Sequence, residues 1–377
     1  MKKVLYFFCL ILEAAACKKV YNVRAIGSNY NYLVVEGLIN TGADSTLFKL
    51  SRTVNIAAKT TNSPELNAQL IIEDNKSNSY PLYENGSGNY GAASLNLDYT
   101  RKYRLRVKTA DGKTYLSDFV EARVTPPIDS LGYSIQPNGL QVYLNAYDPT
   151  NNTRYYRWDY SETWVFYSKF SSYFKLVDGI PAARQLPQEQ VTQCWGADSS
   201  TTLLLASTSG LSKDIISQQN IVALPSTSEK LQSRYSILVT QYALTNDAYA
   251  YYRDLKKNTE DLGDIFGNLP SSGLTGNIHN INNSTEPVIG YVTAGTRTQK
   301  RIYINNRDLP AWRTITFYDT YGCAADTATV KSADAYPFYY GGNPPAYLPT
   351  NSPNFAAFDI CVDCTLRGTN KQPKFWK

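Results

Sequence analysis

The stretch YRLRVKTADGKTYLS, residues 103–117, decides how the chain is expected to fold. Its apolar residues Tyr103, Leu105 and Val107 alternate with basic residues, which is the two-residue period of a strand with one buried face. The Asp-Gly pair at 111–112 then favours a tight hairpin turn. The stretch therefore predicts two antiparallel strands in a β-sheet protein.

Comparable short runs recur along most of the 377 residues and are separated by turn-forming residues, a spacing typical of antiparallel sandwiches. We therefore predict a mainly β fold: two tandem immunoglobulin/fibronectin-like β-sandwich domains with one inserted α-helix and a loop-rich C-terminal segment. The N-terminal sandwich should cover residues 31–126, because Pro126-Pro127 suits an interdomain joint. The second sandwich should cover residues 127–318, and the cysteine-containing C-terminal segment residues 319–377.

The block RYYRWDYSETWVFYSKF at residues 154–170 carries the strongest strand pattern of the second half. Trp158 and the aromatic residues two positions away share one face, while charged and small residues share the other, as a central strand requires. The segment VIGYVTAGTRTQKRIYIN at residues 288–305 should form the closing hairpin, with its turn near Gly295.

One helix is predicted at about residues 247–258, with the sequence DAYAYYRDLKKN. Asn246 is the expected N-cap, and an acidic residue at the start and lysines at the end suit the helix dipole. The apolar stripe of Ala248, Tyr252 and Leu255 should be packing surface.

Residues 1–16 have the features of a lipoprotein signal peptide. The apolar run VLYFFCLIL at residues 4–12 is shorter than the roughly 20 residues that a membrane-spanning helix needs. Three alanines then precede Cys17, the arrangement of a bacterial lipobox, in which the cysteine is the lipid-attachment site. A plain secretory signal, with Cys17 as a spare thiol, is the alternative. We expect a lipid on Cys17 to be the membrane anchor and residues 17–30 to be a tether.

The composition argues against several classes of function. The formal net charge is +5 with no basic stripe, so nucleic acid is not an expected partner. A catalytic triad needs a histidine base, and His279, the single histidine, lies in a loop-like segment. One histidine and one C-x-x-C pair are too few ligands for a zinc site. We therefore predict no catalytic residue, no metal and no cofactor.

Four further cysteines, Cys194, Cys323, Cys361 and Cys364, are the disulfide candidates. In an oxidising periplasm they allow up to two disulfides in three connectivities. The C-x-x-C pair at 361–364 lacks the βαβ setting of a thioredoxin-like redox site. A structural link between the C-terminal segment and the region of Cys323 is therefore favoured.

Two groups of residues are candidates for a binding or partner surface. Trp158, Glu162 and Trp164 lie in the aromatic block, where Glu162 would be either the buried partner of an arginine or a binding contact. Asp159 and Glu162 are three residues apart on a strand and should face opposite sides, so they should not form an acid/base pair.

The second group is the terminal pair Phe375 and Trp376. These aromatic residues lie between lysines at the end of the chain. They should either fold back onto the sandwich or insert into a partner.

The order of several motifs resembles the domain-of-unknown-function 4249 family of Bacteroidota envelope lipoproteins. The more specific motifs are ETW at 162–164 and LKKNTEDLGDIF at 255–266, with PPIDS, GLQVYLNAYDP, VIGYVTAG and a terminal CVDC…PKFW in the same order. The resemblance runs over almost the whole mature chain. It implies an envelope lipoprotein, often encoded beside TonB-dependent outer-membrane receptors, with no established reaction.

These features together predict a lipid-anchored, non-enzymatic outer-membrane accessory or binding protein that works with a TonB-dependent β-barrel receptor in ligand capture or uptake. An envelope hydrolase of glycans or peptides and a structural envelope lipoprotein are the alternatives. Surface-exported lipoproteins of the phylum commonly carry acidic residues after the lipidated cysteine, whereas this chain has Lys18 and Lys19. We therefore expect the protein to face the periplasm rather than the cell surface.

Overall fold

The computed structural model describes residues 31–54, 63–177, 180–260, 276–323 and 357–377. The predicted signal peptide at 1–16, the tether and Cys17 lie outside the described residues. The chain is mainly β, as predicted.

The strands of the first part of the chain are β1 (Leu33–Asn40), β2 (Thr46–Arg52), β3 (Ser63–Pro64), β4 (Gln69–Asp74), β5 (Ser79–Glu84), β6 (Asn89–Ala92), β7 (Lys102–Lys108), β8 (Thr114–Ser117) and β9 (Val120–Arg123). Those that follow are β10 (Ile128–Gln136), β11 (Gly139–Asp148), β12 (Tyr155–Tyr167), β13 (Phe174–Val177), β14 (Ile180–Ala183), β15 (Gln193–Ser199), β16 (Leu204–Ser207), β17 (Asp214–Pro225), β18 (Arg234–Ala243), β19 (Ile278–Asn280), β20 (Thr293–Gly295) and β21 (Arg297–Asn305). The helices are α1 (Asn246–Glu260), α2 (Phe317–Tyr321) and α3 (Asp359–Val362).

Eight strands close into a barrel in the order β7-β4-β5-β6-β2-β1-β20-β9, and hydrogen bonding between β9 and β7 completes the ring. The predicted hairpin at 103–117 is formed by β7 and β8, with Arg106 paired to Leu116. Alternate side chains of the ring fill its interior, including Leu33, Phe48, Leu70, Tyr90 and Leu105.

The finer prediction of two tandem immunoglobulin-like sandwiches is not confirmed, because the first of the two predicted units is this closed barrel. β20 lies between β1 and β9 and is parallel to both. The predicted closing hairpin at 288–305 is wrong for the same reason: β20 belongs to the barrel, whereas β21 pairs with β18. The predicted boundaries between domains stay a prediction, although residues 278–295 return to the first sheet.

The remaining large strands form a two-sheet region, defined here as β10–β12, β15–β18 and β21. One sheet has the order β10-β11-β17, and the other has the order β15-β12-β18-β21 with β16 also beside β12. Both sheets contribute to one core, which contains Leu144, Trp158 and Ile237. The alternation predicted for residues 154–170 is observed, since Trp158 is buried between the less buried Arg157 and Asp159.

The joint between the barrel and the two-sheet region is buried and hydrogen-bonded. The carbonyl of Pro126 accepts hydrogen bonds from Gln241 Nε2 and Thr298 Oγ1, both at 2.9 Å. The hydroxyl of Thr125 accepts from the backbone N–H of Ala243 at 3.0 Å. These bonds fix the end of the barrel against β18 and β21.

The predicted helix is α1, and Ala248 and Tyr252 are buried as its apolar stripe requires. Thr245 rather than Asn246 acts as the N-cap, because its hydroxyl accepts a hydrogen bond from the Ala248 N–H at 3.2 Å. Within the described ranges, no helix combines the length and the apolar composition that crossing a membrane requires.

Candidate functional site

A cleft of about 870 Å³ lies between the barrel and the two-sheet region. One wall consists of side chains that point outward from β1 and β2, among them Leu38, Leu47 and Lys49. The other wall is the outer face of β12, β18 and β21, and helix α1 borders it through Tyr252 and Leu255. The cleft is therefore formed where the barrel packs against the two-sheet region.

Arg157 is the central cation of this cleft. Its guanidinium lies 4.5 Å from the ring centroid of Tyr242, its cross-strand neighbour on β18, and 4.8 Å from that of Tyr252 on α1. Its Nη2 atom is 3.4 Å from Asp159, while its buried Nε atom has no hydrogen-bond partner in the described part of the chain. Two aromatic rings thus hold the planar cation in one orientation.

The surroundings of Arg157 and Tyr242 shift the pKa values of both side chains. Burial alone would lower the pKa of Arg157, but the neighbouring Tyr252 and the carboxylate of Asp159 raise that pKa above its usual value. Burial and the nearby Asp159 raise the pKa of Tyr242 to about 12. At neutral pH the site therefore presents an arginine cation beside the neutral phenol of Tyr242.

A polar contact connects the two walls, and a second lies within the wall formed by β12, β18 and β21. Arg297 on β21 forms an ion pair with Asp44, which precedes β2, at 3.1 Å across the edge of the cleft. Gln299 donates from Nε2 to the hydroxyl of Thr240 at 2.9 Å, on the row next to Arg157 and Tyr242. Both walls of the cleft combine polar and apolar side chains, for example Lys49 and Leu47 on one wall and Gln299 and Leu238 on the other, which suits a ligand with both kinds of surface.

Three residues predicted as a binding surface lie in packing contacts. Trp158 is 1% exposed and donates from Nε1 to Gln241 at 2.9 Å. Glu162 is 3% exposed and accepts from Lys230 Nζ at 2.5 Å and from the Tyr235 hydroxyl at 2.6 Å. Its partner is thus a lysine rather than the expected arginine.

The same lysine ties Trp164 to this cluster. Lys230 Nζ lies 5.0 Å from the Trp164 ring and is also 3.1 Å from Asp198. Asp159 lines the cleft, whereas Glu162 bonds to Tyr235 inside the two-sheet region, so these two carboxylates face opposite sides as predicted. A binding role for Trp158, Glu162 and Trp164 stays a prediction.

The terminal pair folds back onto the two-sheet region. Trp376 is 9% exposed, and its ring lies 6.4 Å from Trp195 and 5.8 Å from Tyr303. The guanidinium of Arg301 lies 3.7 Å from the Phe375 ring. Trp195 pairs with Val165 near the C-terminal end of β12, whereas Arg157 lies near the N-terminal end of that strand, so Phe375 and Trp376 are separate from the Arg157 cluster.

The four predicted cysteines form two disulfides, Cys194–Cys364 and Cys323–Cys361. The favoured link between the C-terminal segment and Cys323 is confirmed, and the two cysteines of the C-x-x-C pair have different partners. In the described ranges, no group of three or more His, Cys, Asp or Glu side chains could hold a metal ion.

The sequence reasoning missed Arg157 and Tyr242 as functional candidates. The alternation of residues 154–170 could have placed Arg157 on the face opposite Trp158, and Tyr252 was recognised in the helix stripe. No local pattern indicates that β12, β18 and α1 bring these three side chains together, because they are distant in sequence.

Comparisons with known proteins identify the family and leave the reaction open. The chain is similar to a Salmonella alpha-2-macroglobulin mutant, with 11% identity over 57% of this chain and 14% of that chain and a TM-score of 0.18. It is also similar to the BSP domain of a biofilm associated protein, with 6% identity over 74% of this chain and 60% of that chain and a TM-score of 0.16. No curated protein matches the chain. The model of one family matches residues 20–301, and the chain thus belongs to the family described as a domain of unknown function (DUF4249).

Proposed function

We propose that the protein is a lipid-anchored accessory protein of the outer membrane that captures a ligand in the cleft and works with a TonB-dependent receptor. The observation that carries the ligand-binding part is the preformed cleft, in which Arg157 is held between Tyr242 and Tyr252. A cation already held in one orientation loses little freedom when a ligand binds, so ordering this side chain subtracts little from the affinity.

The membrane and receptor parts of the proposal rest on other support. The apolar run followed by Ala14–Ala16 and Cys17 supports lipid attachment, and the family resemblance supports the receptor. The lysines after Cys17 favour the periplasmic side. Protease treatment of intact cells tests the side: a protein that faces the periplasm stays whole until the outer membrane is opened.

The cleft is best tested by filling it. Ser161 on β12 lines the cleft and pairs with Ser199 and Leu238, so Ser161→Trp places a large side chain in the open space. The matched control is Ser79→Trp, at an exposed serine of β5 in the barrel that does not line the cleft. Each protein is isolated gently from the outer membrane with its lipid, and co-purified small molecules and proteins are identified by mass spectrometry.

We expect the natural protein and Ser79→Trp to retain the same small molecule and a stoichiometric β-barrel receptor. Ser161→Trp should lose the small molecule and keep the receptor. The same small molecules on Ser161→Trp as on the natural protein would exclude the cleft as their site. A natural protein without a stoichiometric receptor would count against the accessory role.

A further inference from the structure

A second polar groove lies on the outer face of the three-stranded sheet β10-β11-β17, away from the cleft. It has a volume of about 380 Å³ and is lined by Ser134, Gln136, Gln141, Tyr143, Gln218 and Asn220. None of these six residues carries a charge, although 18% of the residues of the chain are charged. A ligand complementary to this groove is therefore neutral and rich in hydrogen-bonding groups.

An aromatic ring forms the floor of the groove. Gly132 on β10 pairs directly with Tyr143 on β11. A Cβ atom at Gly132 would lie 3.3 Å from the Tyr143 hydroxyl oxygen and 3.4 Å from its Cζ atom. The ring of Tyr143 thus extends over the glycine backbone along the sheet, and its outer side borders the groove.

Irregularities in β17 bring amide side chains beside this ring. The pairing of β11 with β17 shifts twice, between Val142 and Tyr143 and between Leu144 and Ala146. Gln218 has a φ of +47°, and its backbone N–H donates to the Asn145 side chain at 2.7 Å. Bulges change the direction of side chains and are frequent at functional sites. Here Gln218 and Asn220, which lie at the bulges, line the groove together with Tyr143.

The groove offers both donors and acceptors. Gln141 donates from Nε2 to the carbonyls of Val142 and Val222, each at 3.0 Å, so that its Oε1 atom remains as an acceptor. In the part of the chain that the structure describes, the Tyr143 hydroxyl and the side-chain amides of Gln218 and Asn220 form no hydrogen bonds. Amides both donate and accept, as the hydroxyl groups of a sugar do.

We propose that this groove binds a neutral oligosaccharide, with one sugar ring against Tyr143 and its hydroxyls bonded to the amides of Gln141, Gln218 and Asn220. Three neighbouring strands span roughly 10 Å, which is enough for about two sugar rings. The nonpolar face of a pyranose packs on an aromatic ring, and its equatorial hydroxyls point sideways to the amides. This site does not depend on the cleft or on the proposed receptor.

The test uses the full folded chain on an array that carries neutral and charged oligosaccharides side by side, followed by calorimetric titration with the neutral member that binds most tightly. Tyr143→Ala should weaken that binding at least tenfold, while Tyr143→Phe, which keeps the ring, should change it less than threefold. Tyr147→Ala is the matched control, because Tyr147 is an exposed tyrosine on the same strand outside the groove, and it should bind normally.

Asn220→Asp adds a charge at an exposed position with little change of shape and should also weaken binding at least tenfold. This variant decides the question if Tyr143→Ala fails to fold. Binding of charged members alone, absence of neutral binding at millimolar concentration, or full binding by folded Tyr143→Ala or Asn220→Asp would overturn the proposal. Loss of sugar binding in Ser161→Trp but in neither groove variant would assign the sugar to the cleft instead.

Discussion

The barrel and the two-sheet region are closed by different kinds of interaction. In the barrel, backbone pairing of β7 with β9 completes a ring in which each strand has two neighbours. The sheets of the two-sheet region are open, with β10 and β17 as edges of one sheet. There a shared core holds the two sheets together, and the Cys194–Cys364 disulfide, the Glu162–Lys230 ion pair and the packed Trp376 attach the C-terminal segment and the turn before β18. Substitutions that remove side-chain links should therefore destabilise the two-sheet region more than the barrel.

The tryptophans provide a built-in means to test this difference. All five, Trp158, Trp164, Trp195, Trp312 and Trp376, follow residue 126, and each packs in a cluster of the two-sheet region. Tryptophan emission consequently reports on the two-sheet region, whereas hydrogen exchange at the amides of β4 and β7 reports on the barrel.

The largest effect should come from the double variant Cys194→Ser/Cys364→Ser. The two cysteines are 170 residues apart, and the chain-entropy model gives a loss of about 5 kcal/mol in the free energy of unfolding for a loop of that length. Urea unfolding followed by tryptophan emission measures this loss. Cys323→Ser/Cys361→Ser, with a separation of 38 residues, should cost about 4 kcal/mol. Equal loss of exchange protection in β4 and β7 would show that the two regions unfold as one unit.

A smaller effect is expected from Glu162→Ala. The substitution leaves the buried Tyr235 hydroxyl without its acceptor and Lys230 with Asp198 alone, so we expect a loss of about 3 kcal/mol by tryptophan-detected unfolding. Glu162→Gln keeps an acceptor for Tyr235 and should lose less.

The matched barrel variant is Glu73→Ala. Glu73 also has two partners, Arg104 at 2.7 Å and Arg106 at 2.6 Å, but these arginines are 27% and 33% exposed. Glu73 itself is 16% exposed, against 3% for Glu162, and ion pairs accessible to solvent contribute little, so we expect about 1 kcal/mol or less. A larger loss for Glu73→Ala than for Glu162→Ala would contradict the claim that the two-sheet region depends more on its side-chain links.

The same difference explains how much could be predicted from the sequence. The β7–β8 hairpin, the strand at residues 154–170 and helix α1 were predicted because each depends on local periodicity. Closure of the barrel was not predicted, because β20 pairs with β1 across a sequence separation of more than 250 residues and has only three residues of its own. The cysteines were recognised as disulfide candidates by residue type alone, and their pairing became visible only in three dimensions.

The candidate cleft shows the same limit. Arg157 and Tyr252 could each be placed on a face of a strand or helix, but their contact depends on the packing of α1 against β12. The polar groove depends on two bulges in β17, which interrupt the alternation that sequence reading uses.

A change in alkaline stability compares one buried tyrosine from each region. Burial raises the pKa of Tyr115 in the barrel to about 12. Burial and the Glu162 carboxylate raise the pKa of Tyr235 in the two-sheet region still further. An unfolded tyrosine ionises near pH 10. Between this pH and the raised pKa of the same tyrosine in the folded state, the unfolded state holds fewer protons, so stability falls as pH rises. Each such tyrosine contributes about 1.4 kcal/mol per pH unit to this fall.

Tyr235→Phe removes one ionisable group from the two-sheet region, so its tryptophan-detected free energy of unfolding should fall less steeply, by about 1.4 kcal/mol per pH unit between roughly pH 10.5 and 12. Tyr115→Phe removes the equivalent group from the barrel and should leave the tryptophan-detected slope unchanged. The slope, rather than the stability at neutral pH, is the informative quantity, because each substitution also removes a hydrogen bond to a carboxylate. Equal flattening by both substitutions would mean that ionisation in the barrel also destabilises the two-sheet region, so that the two regions do not unfold independently.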